Sequence, residues 1–362
     1  MLLSRKGRVL VTALDWGLGH ATRTSAMVDV LRCRGCHVIL AGSGRSLALL
    51  RGQHPDLEWV ALTSFSPRLS GGSCQWLTIG LQVPWFFFCM VREWWQTQRI
   101  VRKLGIDLII SDNRYGVRSR ECASVLVTHQ LRPRVAPGAP AWLNNAMAWC
   151  LGKLTAMFDG CLVPDVRLST DGRGGASLCG ALCWPLSQRL HDGVRAHRIG
   201  ALSRLRGRGL NYYETENVGN KDEAIDWLAV VSGPEPQRGI LVQRVVETLE
   251  GLPQGRKVVV CGNIGGTSRE RETEGVEIVA YAEAEELARM LRGSRHIVCR
   301  SGYSTMLDLE ALGLLGTRPI VLIPTPGQAE QVYLAEHLAE NVTMVSYVKQ
   351  EELNATRLME IV

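Results

Sequence analysis

Short runs of β-branched and aliphatic residues alternate with amphipathic stretches from one end of the chain to the other. Runs at 9–14, 37–41, 57–62, 106–110, 125–128 and 161–163 predict the strands of a first sheet. Most are apolar at nearly every position, which marks parallel strands covered on both faces rather than the in–out alternation of a half-wet sheet. Helical spacing over 21–34 and over the long stretch 76–103 predicts covering helices, and this alternation predicts a doubly wound α/β domain. The pattern breaks between 168 and 220, a stretch rich in Gly, Arg and Ser, and the interdomain connection is placed near 203–220. Apolar runs then resume at 227–231, 257–261, 276–280, 296–299, 319–323 and 342–347. The expected division is a domain over 1–205 and a second over 206–362, both Rossmann-like. Their strand ends are expected to face a shared cleft, the usual ligand site of such sheets.

A length of 362 residues agrees with two domains, and 46% hydrophobic with 21% charged residues is the composition of a globular chain. The net charge of +6 is spread out, without the dense basic stripe and interleaved aromatics of a nucleic-acid binder. Eleven cysteines follow no regular framework, and Cys33 with Cys36 lacks a second pair at zinc-site spacing, so reduced thiols and no metal site are expected. The first residues run into a strand without the apolar core of a secretory leader, so a cytoplasmic location is expected. One segment stands apart. Leu81 to Val91, containing Trp85, Phe86, Phe87 and Phe88, is followed by Arg92, Trp94 and Trp95. It is too short to span a bilayer and is either a membrane-interface segment or a helix buried between domains.

The candidate chemistry sits at predicted strand ends. Gly17-Leu18-Gly19-His20-Ala21-Thr22-Arg23 follows the first strand; its glycines allow a sharp turn, and its histidine falls where a helix opens with free N–H groups. The spacing differs from the G-x-G-x-x-G of dinucleotide sites, and a titratable imidazole there suits transfer chemistry. In the same half, Asp112, Asn113 and Arg114 end one strand and His129 ends another. Asp112 or His129 is a candidate to orient His20 or an acceptor, and each is equally readable as a satisfied turn residue. In the second half, Ser232, Gly233 and Arg238 offer a hydroxyl, N–H groups and a charge to phosphate oxygens. Arg300, Ser301, Gly302, Ser304 and Thr305 repeat a Ser-Gly turn into a helix, and Asp308, one turn later, suits the hydroxyls of a ribose. Gln328, Glu330 and Gln331 follow Pro324-Thr325-Pro326-Gly327 and supply donors and acceptors for sugar hydroxyls.

These motifs resemble those of GT-B glycosyltransferases. Gly17-Leu18-Gly19-His20 is similar to their acceptor-side glycine loop, and Ser301-Gly302 to Asp308 with Pro324, Gln328 and Gln331 is similar to the donor site of the family 28 branch. That branch includes the undecaprenyl-pyrophosphoryl-muramoyl-pentapeptide N-acetylglucosaminyltransferase of bacterial peptidoglycan synthesis. Nearer still are bacterial GT-B proteins without a defined substrate, over nearly the whole chain. The resemblance implies a GT-B fold and a nucleotide-sugar donor, a UDP-sugar, held by the C-terminal half without a metal or other cofactor. It implies a glycan or lipid-linked acceptor held by the N-terminal half, a cell-envelope setting, and peripheral contact with the inner face of the cytoplasmic membrane. By position, Ser232 and Gly233 approach the diphosphate, Asp308 the ribose, and Gln328 and Gln331 the sugar, with His20 as base or electrostatic aid. Two departures stand out: Gly-Leu-Gly-His replaces the branch's Gly-Gly-His, and Asp308 replaces its glutamate. The expected activity is inverting transfer of a hexose or N-acetylhexosamine to a hydroxyl. The alternatives are a non-hydrolysing UDP-sugar 2-epimerase and an inactive nucleotide-sugar-binding protein.

Overall fold

A computed structural model describes residues 7–16, 18–65, 75–134, 141–168, 176–183, 196–206, 224–262, 271–273 and 275–362, with 75–81, 206 and 271–273 described by backbone alone. The chain forms two compact units: Met1–Val166 with Cys179–Leu202, and Arg167–Leu178 with Ser203–Val362.

The first unit is a parallel sheet of β1 (Arg8–Ala13), β2 (His37–Gly42), β3 (Glu58–Ala61), β4 (Leu108–Asp112), β5 (Ala123–Val127), β6 (Gly160–Val163) and β7 (Ala196–Arg198), in the order β3-β2-β1-β4-β5-β6-β7. Helices α1 (Leu18–Cys33), α2 (Gly44–Gln53), α3 (Gln75–Leu104) and α4 (Ala141–Thr155) complete it. Alternate residues of β1 serve different cores. Val9, Val11 and Ala13 pack with Ala21, Val28, Leu31 and Leu50 of α1 and α2, whereas Leu10 packs with Val101 of α3. Both faces are covered, which is why the strand is apolar throughout. The chain winds outward from β1 in one direction and then from β4 in the other. Ala13 and Asp112 therefore end up paired across the switch point of the sheet, where ligands of open α/β sheets bind.

The second unit repeats this plan with β8 (Ile225–Val230), β9 (Lys257–Val260), β10 (Arg271–Thr273), β11 (Val276–Val279), β12 (Ser294–Cys299), β13 (Ile320–Leu322) and β14 (Val345–Tyr347), ordered β10-β11-β9-β8-β12-β13-β14. Only β10, at the edge, runs antiparallel to its neighbour. The helices are α5 (Gln237–Glu250), α6 (Ala284–Gly293), α7 (Tyr303–Ala311), α8 (Ala329–Asn341) and α9 (Ala355–Ile361). Trp227, Ala229, Leu241, Val245, Val259 and Leu358 are among the core residues that join α5 and α9 to the sheet. The switch point lies between β8 and β12, so the turns after Val230 and Cys299 are neighbours.

The structure departs from the sequence-based picture in two ways. β7 and β10 are three-residue edge strands with polar sequences, which no apolar run announces. Residues 167–178, expected in the first domain, belong to the second unit. Leu168 N–H bonds the Ala176 carbonyl (2.7 Å), and His337 of α8 donates through Nε2 to the Ser177 carbonyl (2.7 Å). The 81–95 segment lies within the helix expected over 76–103: it is part of the amphipathic α3, with Cys89 buried and Trp85 and Trp95 each 57% exposed. Among the described residues, no helix is long and apolar enough to cross a membrane, and no disulfide forms.

Candidate active site

The first unit concentrates its polar groups where β1 runs into α1. Gly17 lies outside the described residues; Gly19 accepts a hydrogen bond from Thr22 Oγ1 at 3.0 Å within the first turn of α1. His20, in the same turn, sets Nδ1 3.1 Å from Asp112 Oδ1 at the end of β4. Three residues on, Arg23 lies on the same side of the helix. Its Nε donates to Asp112 Oδ2 (2.7 Å) and its Nη2 to Oδ1, making a bidentate pair in which the side chains are 2% and 3% exposed. Thr24 Oγ1 adds a third donor to the carboxylate at 3.1 Å. Burial by itself would raise the Asp112 carboxyl, but the charges of Arg23 and His20 and their hydrogen bonds prevail and hold it well below the ordinary carboxylate range.

The histidine ring stands between an acceptor and a donor. Arg23 Nη2 is 2.8 Å from the same Nδ1 that faces Asp112. The ring proton accordingly has two supported positions. On Nδ1 it points at Asp112, leaves the Nε2 lone pair to take a proton and gives up the hydrogen bond from Arg23; on Nε2 it lets Nδ1 accept from Arg23. The second histidine behaves differently. His129 is buried, and its Nδ1, 3.0 Å from Arg23 Nη1, can only accept from a guanidinium. It supports Arg23. Asn113 follows Asp112 with a positive φ of 54°, a conformation that asparagine tolerates better than most residues. Arg114 is buried and paired to Glu93 of α3 at 2.8 Å, with further bonds to the carbonyls of Thr63 and Ala13. Gly116 completes this contact, because a Cβ there would collide with the Met90 carbonyl of α3. Glu93 and Thr24 carried no recognisable signal in the sequence; each is identified only by the partner the fold brings to it.

The second unit presents three turns at neighbouring strand ends. After β8 come Ser232, half-buried, and Gly233, exposed with φ of 121°, a backbone angle that favours glycine. Arg238, near the start of α5, is held by Glu235 Oε1 (2.9 and 2.6 Å) and donates to the Gly262 carbonyl (3.0 Å). After β12, Arg300 and Ser301 are fully buried. Ser301 Oγ donates to the Gln331 carbonyl at 2.8 Å, and Gly302 caps α7, whose first turn carries Ser304 and Thr305, both half-buried. After β13, Gln331 Oε1 accepts from Thr325 N–H (2.9 Å) and its amide donates to Gln328 Oε1 (2.6 Å). Glu330 lies beside it in the first turn of α8. Ser301 and Gln331 thus brace the turns with groups that the sequence reading assigned to a ligand. Asp308 does the same: it accepts from Ser203 Oγ, and burial pushes its carboxyl up to about 6 against the opposing pull of Ser203 and Arg204. Among the described residues no group of three His, Cys, Asp or Glu is placed to hold a metal ion.

Elsewhere in the first unit, α3 and α4 expose Trp85, Phe88, Val91, Trp95, Trp142 and Trp149. Met90 of α3 and Leu151 of α4 pack against one buried cluster formed by Tyr115, Leu126, Leu154 and Phe158, so the two helices cover the same side of the sheet. The only acid in either helix is the buried Glu93, while Arg92, Arg99, Arg102, Lys103 and Lys153 are basic.

No protein-family model matches the chain, and no curated protein matches its sequence. Solved structures do. The glycosyltransferase of kitacinnamycin aligns with a TM-score of 0.62 at 16% identity, covering 98% of this chain and 89% of that one. UGT89C1 of Arabidopsis thaliana, complexed with UDP-L-rhamnose, aligns at 0.59 and 14% identity over 98% and 88% of the two chains. MurG of Acinetobacter baumannii aligns at 0.53 and 14% identity over 98% and 89%. Likeness of this kind over almost the full length, with two parallel α/β sheets in one chain, shows that the protein has the GT-B fold of these glycosyltransferases.

Proposed function

We propose that this protein transfers a hexosyl or N-acetylhexosaminyl group from a nucleotide-sugar, a UDP-sugar, to an acceptor hydroxyl with inversion at the anomeric carbon. The observation that carries this reading is the His20–Asp112 contact at the switch point of the first sheet. With its proton on Nδ1 toward Asp112, His20 takes the acceptor's proton through Nε2 as the oxygen attacks the anomeric carbon and the diphosphate departs. N–H groups around Ser232, Gly233 and Gly302, together with the openings of α5 and α7, receive the charge that develops on the leaving oxygen. The solved neighbours bound to UDP-L-rhamnose and to thymidine diphosphate support a nucleotide donor. Gln328 and Glu330 meet the sugar, and Asn113 with the Gly19 turn meets the acceptor. No step needs a metal.

The aromatic and basic face of α3 and α4 supports a lipid-linked acceptor met at an anionic membrane surface, since interfacial helices pair such aromatics with cationic residues. The test is donor binding and turnover in wild type and in His20→Ala. Wild type binds UDP or TDP in calorimetry and releases it from the sugar nucleotide when acceptor is supplied. The variant binds as well but loses turnover by at least 100-fold. Undiminished turnover in His20→Ala refutes the assignment.

A further inference from the structure

Arg300 closes β12 at the switch point of the second sheet and is 1% exposed. It has no carboxylate partner among the described residues. Its Nη1 donates to the carbonyls of Ile323 (3.4 Å) and Pro324 (3.2 Å), and its Nη2 to the Gln237 carbonyl (3.0 Å) and to Gln350 Oε1 (2.6 Å). Its Nε is buried and without a hydrogen-bond partner among the described residues. These acceptors belong to the turn after β13, the start of α5, and the short 3-10 turn Gln350–Glu352. The first two of these segments border the Ser232 and Ser301 turns. Neutral carbonyls satisfy hydrogen bonds but do not balance a charge, and a buried cation without an anion is costly to keep. Burial accordingly draws the Arg300 guanidinium down to about 10. An acid would be the ordinary counter-ion here; the chain places a glutamine, Gln350, at that position instead.

We propose that Arg300 is a positioning residue for the diphosphate of the donor: it ties the three strand-end segments together and leaves its charge uncompensated until the phosphates arrive. This rests on the donor reading above. Arg300 acts through the turns it braces, so its effect scales with the charge of the ligand and does not require contact with it.

The decisive variant is Gln350→Glu. It leaves the side chain's shape almost unchanged and supplies the missing counter-ion 2.6 Å from the guanidinium. A purely structural Arg300 predicts that this variant is at least as stable as wild type and binds nucleotides equally well. The counter-charge role predicts equal or greater thermal stability with UDP affinity lowered at least tenfold, UMP affinity lowered less, and uridine affinity unchanged within twofold. Arg300→Met should show the same graded order, and Arg300→Lys should recover part of the UDP affinity. Calorimetry with UDP, UMP and uridine reads all three, with TDP and thymidine run in parallel. Equal UDP binding by wild type and Gln350→Glu, or losses equal across the three ligands, overturns the role of Arg300. A wild type that takes neither UDP nor TDP overturns the donor reading itself, and the Arg300 assignment with it.

Discussion

Replacing Asp112 by Asn tests whether the first unit is held together at its candidate catalytic centre by one buried ion pair. Asp112 receives two bonds from Arg23 and one from Thr24, with both ionic side chains almost wholly out of solvent. Removing one member of such a pair strands the other's charge, at a cost of about 3–5 kcal/mol. Asparagine keeps one oxygen for Arg23 or Thr24, so the lower end applies, about 3 kcal/mol. For a unit of this size that corresponds to a fall of about 6–12 °C in melting temperature. Circular dichroism melts of wild type, Asp112→Asn, Arg23→Met and the double variant supply the cycle. The double variant strands no charge, so it should melt well above the sum of the two single losses, with a coupling of about 2 kcal/mol or more. Acid adds a second check. A carboxyl held below its unfolded value stabilises the fold above the unfolded value, about 3.9, and loses that contribution as pH falls through the folded value. The gap between wild type and Asp112→Asn should therefore be full at pH 7 and shrink below about pH 4. A single variant melting within about 2 °C of wild type at pH 7, or strictly additive losses, refutes the stranded-charge reasoning.

Asp308 shifts in the opposite direction and gives the opposite sign. Its folded value of about 6 lies above the unfolded one, so its contribution is intact in acid and declines as pH rises through 6. Asp308→Asn should raise the melting temperature at pH 8 by a few degrees and make no difference near pH 4; no gain at pH 8 would show that ionised Asp308 is well accommodated. On α3, substituting Trp85, Phe88 and Trp95 together by Ala should lower binding to vesicles of anionic phospholipid at least tenfold in co-sedimentation, since each aromatic buried at an interface contributes about 1.5–3 kcal/mol. Vesicle binding equal to wild type, or self-association lost in its place, would assign that face to another partner.

The strands of both sheets other than the polar edge strands β7 and β10 were legible because their apolar runs are local facts about the sequence. The proximity of His20 to Asp112 was legible as a possibility, since each follows a strand, but their contact depends on β1 pairing with β4, which periodicity does not contain. Arg23 shows the limit more sharply. Its position near His20 is plain from spacing, yet its burial between Asp112 and His129 depends on residues 89 and 106 positions away. The same holds for Arg114, whose partner Glu93 is fixed by α3, and for Asp308, whose acidity suggested a ribose but whose carboxyl faces Ser203. Polar motifs at strand ends reveal where chemistry gathers. Which of those groups stay available is decided by packing, and here Ser301, Gln331 and Asp308 are engaged by the protein itself.

The path of the backbone between the two units has a practical corollary. The polypeptide passes from one to the other after Val166, goes back after Leu178 and leaves again after Leu202. No single scission can separate a complete first half from a complete second half. A fragment beginning at Ser203 would lack the strap that His337 fastens, and one ending at Leu202 would carry that strap with nothing to dock on. Anyone wishing to study either half in isolation must excise Arg167–Leu178 from one piece and graft it onto the other.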